Sequence, residues 1–276
     1  MKFAKVVVLL ASLSFLASNL LAQSAPRRQV WQPAGQDNVA FDRLDRFASI
    51  RMAATPNPTP PPGGVVPVSQ LHIPGKALKE YERSQKAFHS GDITSSATHL
   101  QKALEIYPQF VSAHNALGLR YVQFHEYDKA LAEHQSAVAI SPNDGEAHTN
   151  LSLDLLLLNR YSEAEAEARH ALELDPQTPG PRYVLGRTLI AQLQVTPEAI
   201  RMLKESQDAF PNASLVLAQL HFVLGNAEET VNDLRHYLRA PTDRDNQHKA
   251  ECWLARLTGE TPDASCSDVP GRPSFR

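Results

Sequence analysis

The chain has 276 residues, enough for one large domain or two ordinary ones and for a core that needs no disulfide or metal to hold it together. Against 27 Lys and Arg stand 30 Asp and Glu, a formal −3 that argues against a broad electrostatic grip on nucleic acid or anionic lipid. Hydrophobic residues at 42% and charged ones at 21% indicate a chain most of which folds, while two cysteines exclude a disulfide-dense scaffold and a four-thiolate zinc site.

Lys2 and Lys5 precede an apolar stretch from Val6 to Leu16 and the small-residue region around Leu21, Ala22 and Gln23. Residues 1–22 therefore read as a secretory signal peptide cleaved after Ala22. An uncleaved anchor is the competing reading, but Ser12, Ser14, Ser18 and Asn19 interrupt a segment shorter than the roughly 20 apolar residues that span a bilayer. Cleavage leaves 25 basic and 30 acidic residues, a formal −5, in a periplasmic or secreted chain with no stable membrane insertion. In that compartment Cys252 and Cys266 are a possible disulfide, at roughly 3 kcal/mol in the loop-entropy model, with two unpaired thiols as the alternative.

Residues 23–74 are expected to be a disordered tail and linker. Seven prolines between Ala53 and Pro74 forbid a helix there and suggest an extended, partly polyproline course. Within the tail, Asp37 is placed to cap a short helix whose Phe41, Leu44 and Ala48 share one face. That segment is either a transiently helical tail or a docking helix for a partner or for the chain's own groove.

Beyond Gly75 the sequence repeats itself at a fixed shift. Ala113 aligns with Ala147, His114 with His148, Leu117 with Leu151, Tyr127 with Tyr161, Ala130 with Ala164, Ala137 with Ala171 and Pro142 with Pro176. In the unit 111–144, Ala113, Leu117 and Tyr121 form an apolar row at i, i+4, i+8, and a turn near His125 ends that helix. A second helix carries Tyr127, Ala130, Leu131, His134 and Ala137 until Pro142 ends it, because proline disfavours helical geometry in the residue before it. One such pair cannot bury its own apolar face, so the units must stack.

These residues resemble the tetratricopeptide repeat family. The pattern stands as Leu117, Gly118, Tyr121, Ala130, His134, Ala137, Pro142 and as Leu151, Ser152, Leu155, Ala164, Ala168, Ala171, Pro176. His134 and Ala168 replace the usual aromatic, and His114 and His148 replace the usual tryptophan. The resemblance implies an all-α solenoid over 75–258, with units 77–110, 111–144, 145–178 and 179–213, a shortened unit 212–238 and a cap helix 243–258, followed by a disordered tail 259–276.

Eleven histidines prompt a search for catalysis or metal binding, and their spacing supports neither. His125-Glu126 has no second His at the zincin position, and no nucleophile elbow or phosphate-cradling loop is present. His114 and His148 follow the repeat phase and read as packing residues rather than a metal pair, and Glu163, Glu165 and Glu167 read as a solvated face. No enzyme, cofactor or catalytic residue is expected.

What remains is surface. The resemblance implies that the first helix of each unit lines a concave face, here through Tyr81, Gln85, Phe88 and His89, then Asn115, Leu119, Val122 and Gln123. The series continues through Thr149, Leu153, Leu156 and Leu157 to Tyr183, Arg187 and Ile190. Leu155 to Leu158 spread four leucines over roughly 300° of helix, wider than one packing face. If Leu155 and Leu158 pack internally, then Leu153, Leu156 and Leu157 form an apolar floor, unless neighbouring units cover them. The expected partner is a protein or peptide offering an apolar or helical segment. A homo-oligomer, or a groove filled by Asp37 to Met52, is the alternative.

Overall fold

The computed structural model describes residues 73–260 and Cys266. All of these residues belong to one compact unit. The expected signal peptide, the amphipathic segment at Asp37, all but the last two residues of the proline-rich linker and most of the C-terminal tail lie outside the described residues.

Among the described residues there are eleven helices and no strand. In chain order they are α1 Gly75–His89, α2 Ile93–Ile106, α3 Val111–Gln123, α4 Tyr127–Ile140, α5 Gly145–Leu157 and α6 Tyr161–Leu174. Then follow α7 Pro179–Ala191, α8 Pro197–Ser206, α9 Asn212–Val223, α10 Ala227–Arg239 and α11 Arg244–Thr258. Each packs on the next, and α3 also touches α5, α5 touches α7 and α7 touches α9, so the first helices of successive pairs form a contiguous row.

Local chemistry sets these boundaries. Asp92, Asp144, Thr196 and Asp243 cap α2, α5, α8 and α11 by accepting backbone N–H bonds, and proline opens α7 and α8, where its missing N–H costs nothing. The turn inside every pair is the same. Gly91, His125, Asn159, Leu193 and Gly225 all have positive φ, and the first four are spaced by the repeat period. At each the following N–H reaches back into the last turn of the preceding helix, as in Asp92 to Ala87, Glu126 to Tyr121, Arg160 to Leu155, Gln194 to Leu189 and Asn226 to His221, at 2.8–2.9 Å. This left-handed cap satisfies carbonyls that the helix end leaves unpaired.

Between the turns, small residues let the two helices of a pair close up. A Cβ on Gly118 would lie 2.3 Å from His134 Nε2, and one on Gly186 would lie 2.7 Å from Leu203 Cγ. Ser84 and Ser152 hold the equivalent places, and Ser84 Oγ meets Ser96 Oγ at 2.9 Å in the buried interface of α1 and α2. That contact explains the serine at position 96, a slot that carries alanine in the next two units. The largest apolar cluster runs from Leu131 through Leu151, Leu153, Leu155 and Leu156 to Tyr183, Leu203 and Phe210. At the far end Cys252 on α11 and Cys266 are disulfide-bonded, with Cα atoms 5.5 Å apart, and Arg256 donates to the Cys266 carbonyl. No described helix is long and apolar enough to cross a membrane.

Candidate functional site

The contacting first helices carry four rows at the repeat spacing. Tyr81, Asn115, Thr149 and Tyr183 form one, and Gln85, Leu119, Leu153 and Arg187 the second. Phe88, Val122, Leu156 and Ile190 form the third, and His89, Gln123, Leu157 and Ala191 the fourth. Tyr81, Gln85, Phe88, Gln123 and Leu157 are partly exposed, whereas Asn115, Leu119, Val122, Thr149, Tyr183 and Arg187 are buried. Leu153 and Leu156 are only 4% and 6% exposed and belong to the main apolar cluster, so the leucines do not form an open floor. Helix α5 is buried without a break from Ala147 to Leu156, nearly three turns, because other protein surrounds it on every side.

Polar atoms lie buried among these rows. The Asn115 Oδ1 and Gln123 Oε1 atoms are buried with no hydrogen-bond partner, as are both amide atoms of Asn150 one residue off the first row. Arg120 is wholly buried: its Nε donates to Ser96 Oγ at 3.0 Å and its guanidinium lies 3.6 Å over the Phe88 ring, while Nη1 and Nη2 lack partners. Burial lowers its pKa to about 10, with Tyr81 opposing. Tyr183 stacks on Phe210 at 4.7 Å, and the Arg187 guanidinium lies 5.3 Å from the Tyr183 ring centre. Beside these rows, Glu146 keeps solvent-accessible atoms although protein crowds it. That desolvation, with Asp144 adding repulsion, pushes its carboxyl up to about 7.

Several histidines brace the packing of neighbouring helices. His114 Nε2 donates to the Pro108 carbonyl at 2.8 Å while Nδ1 faces Glu133 at 2.6 Å, and one repeat on His148 does the same with Pro142 at 2.9 Å and Glu167 at 2.6 Å. A carbonyl and a carboxylate both accept, so both ring nitrogens of His114 carry protons. Burial opposes that charge, but Glu133 and the Pro108 carbonyl more than offset it, and the pKa lies above the usual histidine value. His134, on α4 in the family's aromatic slot, is fully buried against α3 and α5: Nε2 donates to the Asn115 carbonyl at 3.2 Å and Nδ1 to Asp154 at 2.5 Å. His99 with Glu80 and His221 with Asp233 join α2 to α1 and α9 to α10 at 2.8 Å and 2.7 Å.

The acids of α6 are partnered as well. Glu163 accepts from Arg160, Glu165 from Arg169 and Gln192, and Glu167 meets His148, so only part of this face is simply solvated. Sequence reasoning assigned nothing to Glu146, Arg120 or Asp154. The weight of Arg120 and Asp154 comes from burial and that of Glu146 from crowding by protein and by Asp144, and the only sequence signal is that Arg120 and Asp154 occupy the same position in successive repeats.

Comparison with known proteins agrees with this architecture. The tetratricopeptide repeat profile matches residues 81–145 and 115–179. A tetratricopeptide repeat protein of Thermus thermophilus superposes with a TM-score of 0.55 at 19% identity, covering 63% of this chain and 96% of that one. PilW, a type IV pilus biogenesis factor, gives 0.59 at 21% identity over 70% of this chain and 90% of its own. The pilF protein of Pseudomonas aeruginosa gives 0.56 at 19% over 67% and 85%. Among curated proteins no sequence matches. The sequence period, the repeated left-handed turn and the matched profile together identify residues 81–179 as tetratricopeptide repeats, set in an all-α solenoid of the same type.

Proposed function

We propose that the chain is a non-enzymatic protein-binding scaffold, exported to the periplasm or the cell exterior, that takes up an apolar or helical segment along the rows of its first helices. The observation that carries this is the set of buried, unpaired polar atoms at lining positions, Asn115 Oδ1 and Gln123 Oε1, beside the apolar Leu119, Val122, Leu153 and Leu156. Such groups cost stability unless something bonds them, and a bound peptide supplies backbone N–H donors while its side chains meet the partly exposed Tyr81, Phe88 and Leu157. The tetratricopeptide repeats at residues 81–179, rather than any single neighbour, support the binding role; export rests on residues 1–22.

Leu156 lies in the core, so a charge there tests folding before binding. The cleaner test replaces Asn115 with leucine and installs a photo-crosslinking residue at Gln123 or, as an outward-facing control, at Lys129, which is 62% exposed. Crosslinks to one protein from position 123 but not 129, lost in Asn115→Leu while the melting temperature holds or rises, support the groove. Equal capture at both positions, or capture indifferent to Asn115, overturns it.

A second reading, a spacer or autoinhibited module whose groove is filled by Asp37 to Met52, draws on the burial of Leu119, Leu153, Leu156 and Tyr183. Removing residues 23–70 should then raise both hydrogen exchange along α3 and α5 and partner capture. No change in either rejects it.

A further inference from the structure

The cap helix holds a cluster that the binding rows leave unused. His248 and Cys252 lie one turn apart on α11, and Cys266 is brought to them, so that an imidazole nitrogen and both sulfurs lie within 4.8 Å of one another. Both sulfurs belong to buried residues, 1% and 4% exposed, and Cys252 Sγ is 3.6 Å from His248 Nε2. That separation is one edge of a zinc tetrahedron: Zn–S of about 2.3 Å and Zn–N of about 2.1 Å at the tetrahedral angle put sulfur and nitrogen about 3.6 Å apart. Two thiolates on the same ion stand about 3.8 Å apart, within reach of unbonded sulfurs turning about their Cα–Cβ bonds on this backbone.

We propose that, when the disulfide is reduced, His248, Cys252 and Cys266 bind one zinc ion, with water in the fourth position, so that disulfide and metal are alternative clamps holding residue 266 to α11. An external phosphine supplies the two electrons: the S–S bond breaks, water gives two protons to form two thiols, and the phosphine leaves as its oxide. Zinc then displaces those two protons and takes both thiolates with the neutral imidazole. Two sulfurs and a nitrogen suit zinc and disfavour magnesium or calcium.

Cobalt(II) titration of the full chain, oxidised and phosphine-reduced, tests this. The reduced chain should bind one Co(II) with a sulfur-to-metal charge-transfer band and intense tetrahedral ligand-field bands, displaced by one equivalent of zinc; the oxidised chain should show neither. His248→Ala, which leaves both sulfurs in place, should weaken binding at least about tenfold. If reduction melts α11, zinc should restore the lost helical circular dichroism, since binding and folding are then one equilibrium. Absence of the bands with no zinc-dependent recovery of helix, or an unchanged Kd in His248→Ala, overturns the proposal.

Discussion

Replacing His134 by phenylalanine restores the aromatic residue usual at that position, yet it should be among the most damaging substitutions in the chain. The imidazole is wholly buried, pressed against Gly118, and bonded on both sides, to the Asn115 carbonyl and to Asp154, itself wholly buried. Phenylalanine fills the volume but leaves the Asp154 carboxyl, whose Oδ1 already lacks a partner, with no partner at all. Breaking a buried pair in this way costs about 3–5 kcal/mol. Asp154→Leu in the same chain removes the orphan, and replacing a buried pair by apolar residues is neutral or gains about 1–4 kcal/mol, so His134→Phe with Asp154→Leu should be at least as stable as the parent. Urea denaturation followed by circular dichroism gives both values and their coupling.

The pair also predicts a pH dependence. Burial works against a charge on His134, but Asp154, the Asn115 carbonyl and Glu133 outweigh it and raise its pKa, while burial raises that of Asp154; the folded pair thus keeps a proton that the unfolded chain releases. The contribution is fully present below the unfolded histidine value of about 6.5 and is lost as pH rises through the raised value, at up to about 1.4 kcal/mol per unit. The double variant should lose this slope. A cost below about 1 kcal/mol for His134→Phe, or a double variant weaker than the single one, refutes the reasoning.

Leu193 holds a left-handed turn with φ of 61° and is 69% exposed, where Gly91 and Gly225 serve the equivalent turns. Leu193→Gly removes a strain of about 1–2 kcal/mol against an entropic cost of about 0.5–1 kcal/mol, and the melting temperature should rise slightly or hold; a clear fall shows that the leucine packs usefully. The Glu146 carboxyl is raised to about 7, so its stabilising contribution is present below about pH 4.5 and fades as pH rises through 7. Glu146→Gln should therefore raise the melting temperature at pH 8 more than at pH 5, and equal shifts at the two pH values would show that the crowding is not felt by the charge.

The periodicity of the chain was legible because its causes are local. Proline after a helix, a small residue where two backbones meet, and apolar rows at three- and four-residue spacing act within one unit, and sliding the sequence over itself by one period exposes them. Even the left-handed turns repeat at that spacing, although His125, Asn159 and Leu193 differ too much in chemistry to announce it. The partners of the polar residues depend on a neighbouring helix, in the same unit for His114 and Glu133 and in an adjacent unit for two of the most buried groups. His134 finds Asp154 20 residues on, and Arg120 finds Ser96 24 residues back. Neither separation follows from the helical or the repeat period; each comes from how one pair of helices rests on another.

Likewise, four leucines in a row establish that α5 is apolar around most of its circumference, but whether Leu153 and Leu156 meet water or protein depends on what stands beside the helix. The sequence alone determined the repeat unit and where its helices end, since these follow from residue volume and backbone preference. Tertiary structure alone decided which polar groups are paired, because desolvation and hydrogen bonding are properties of neighbours that other helices supply.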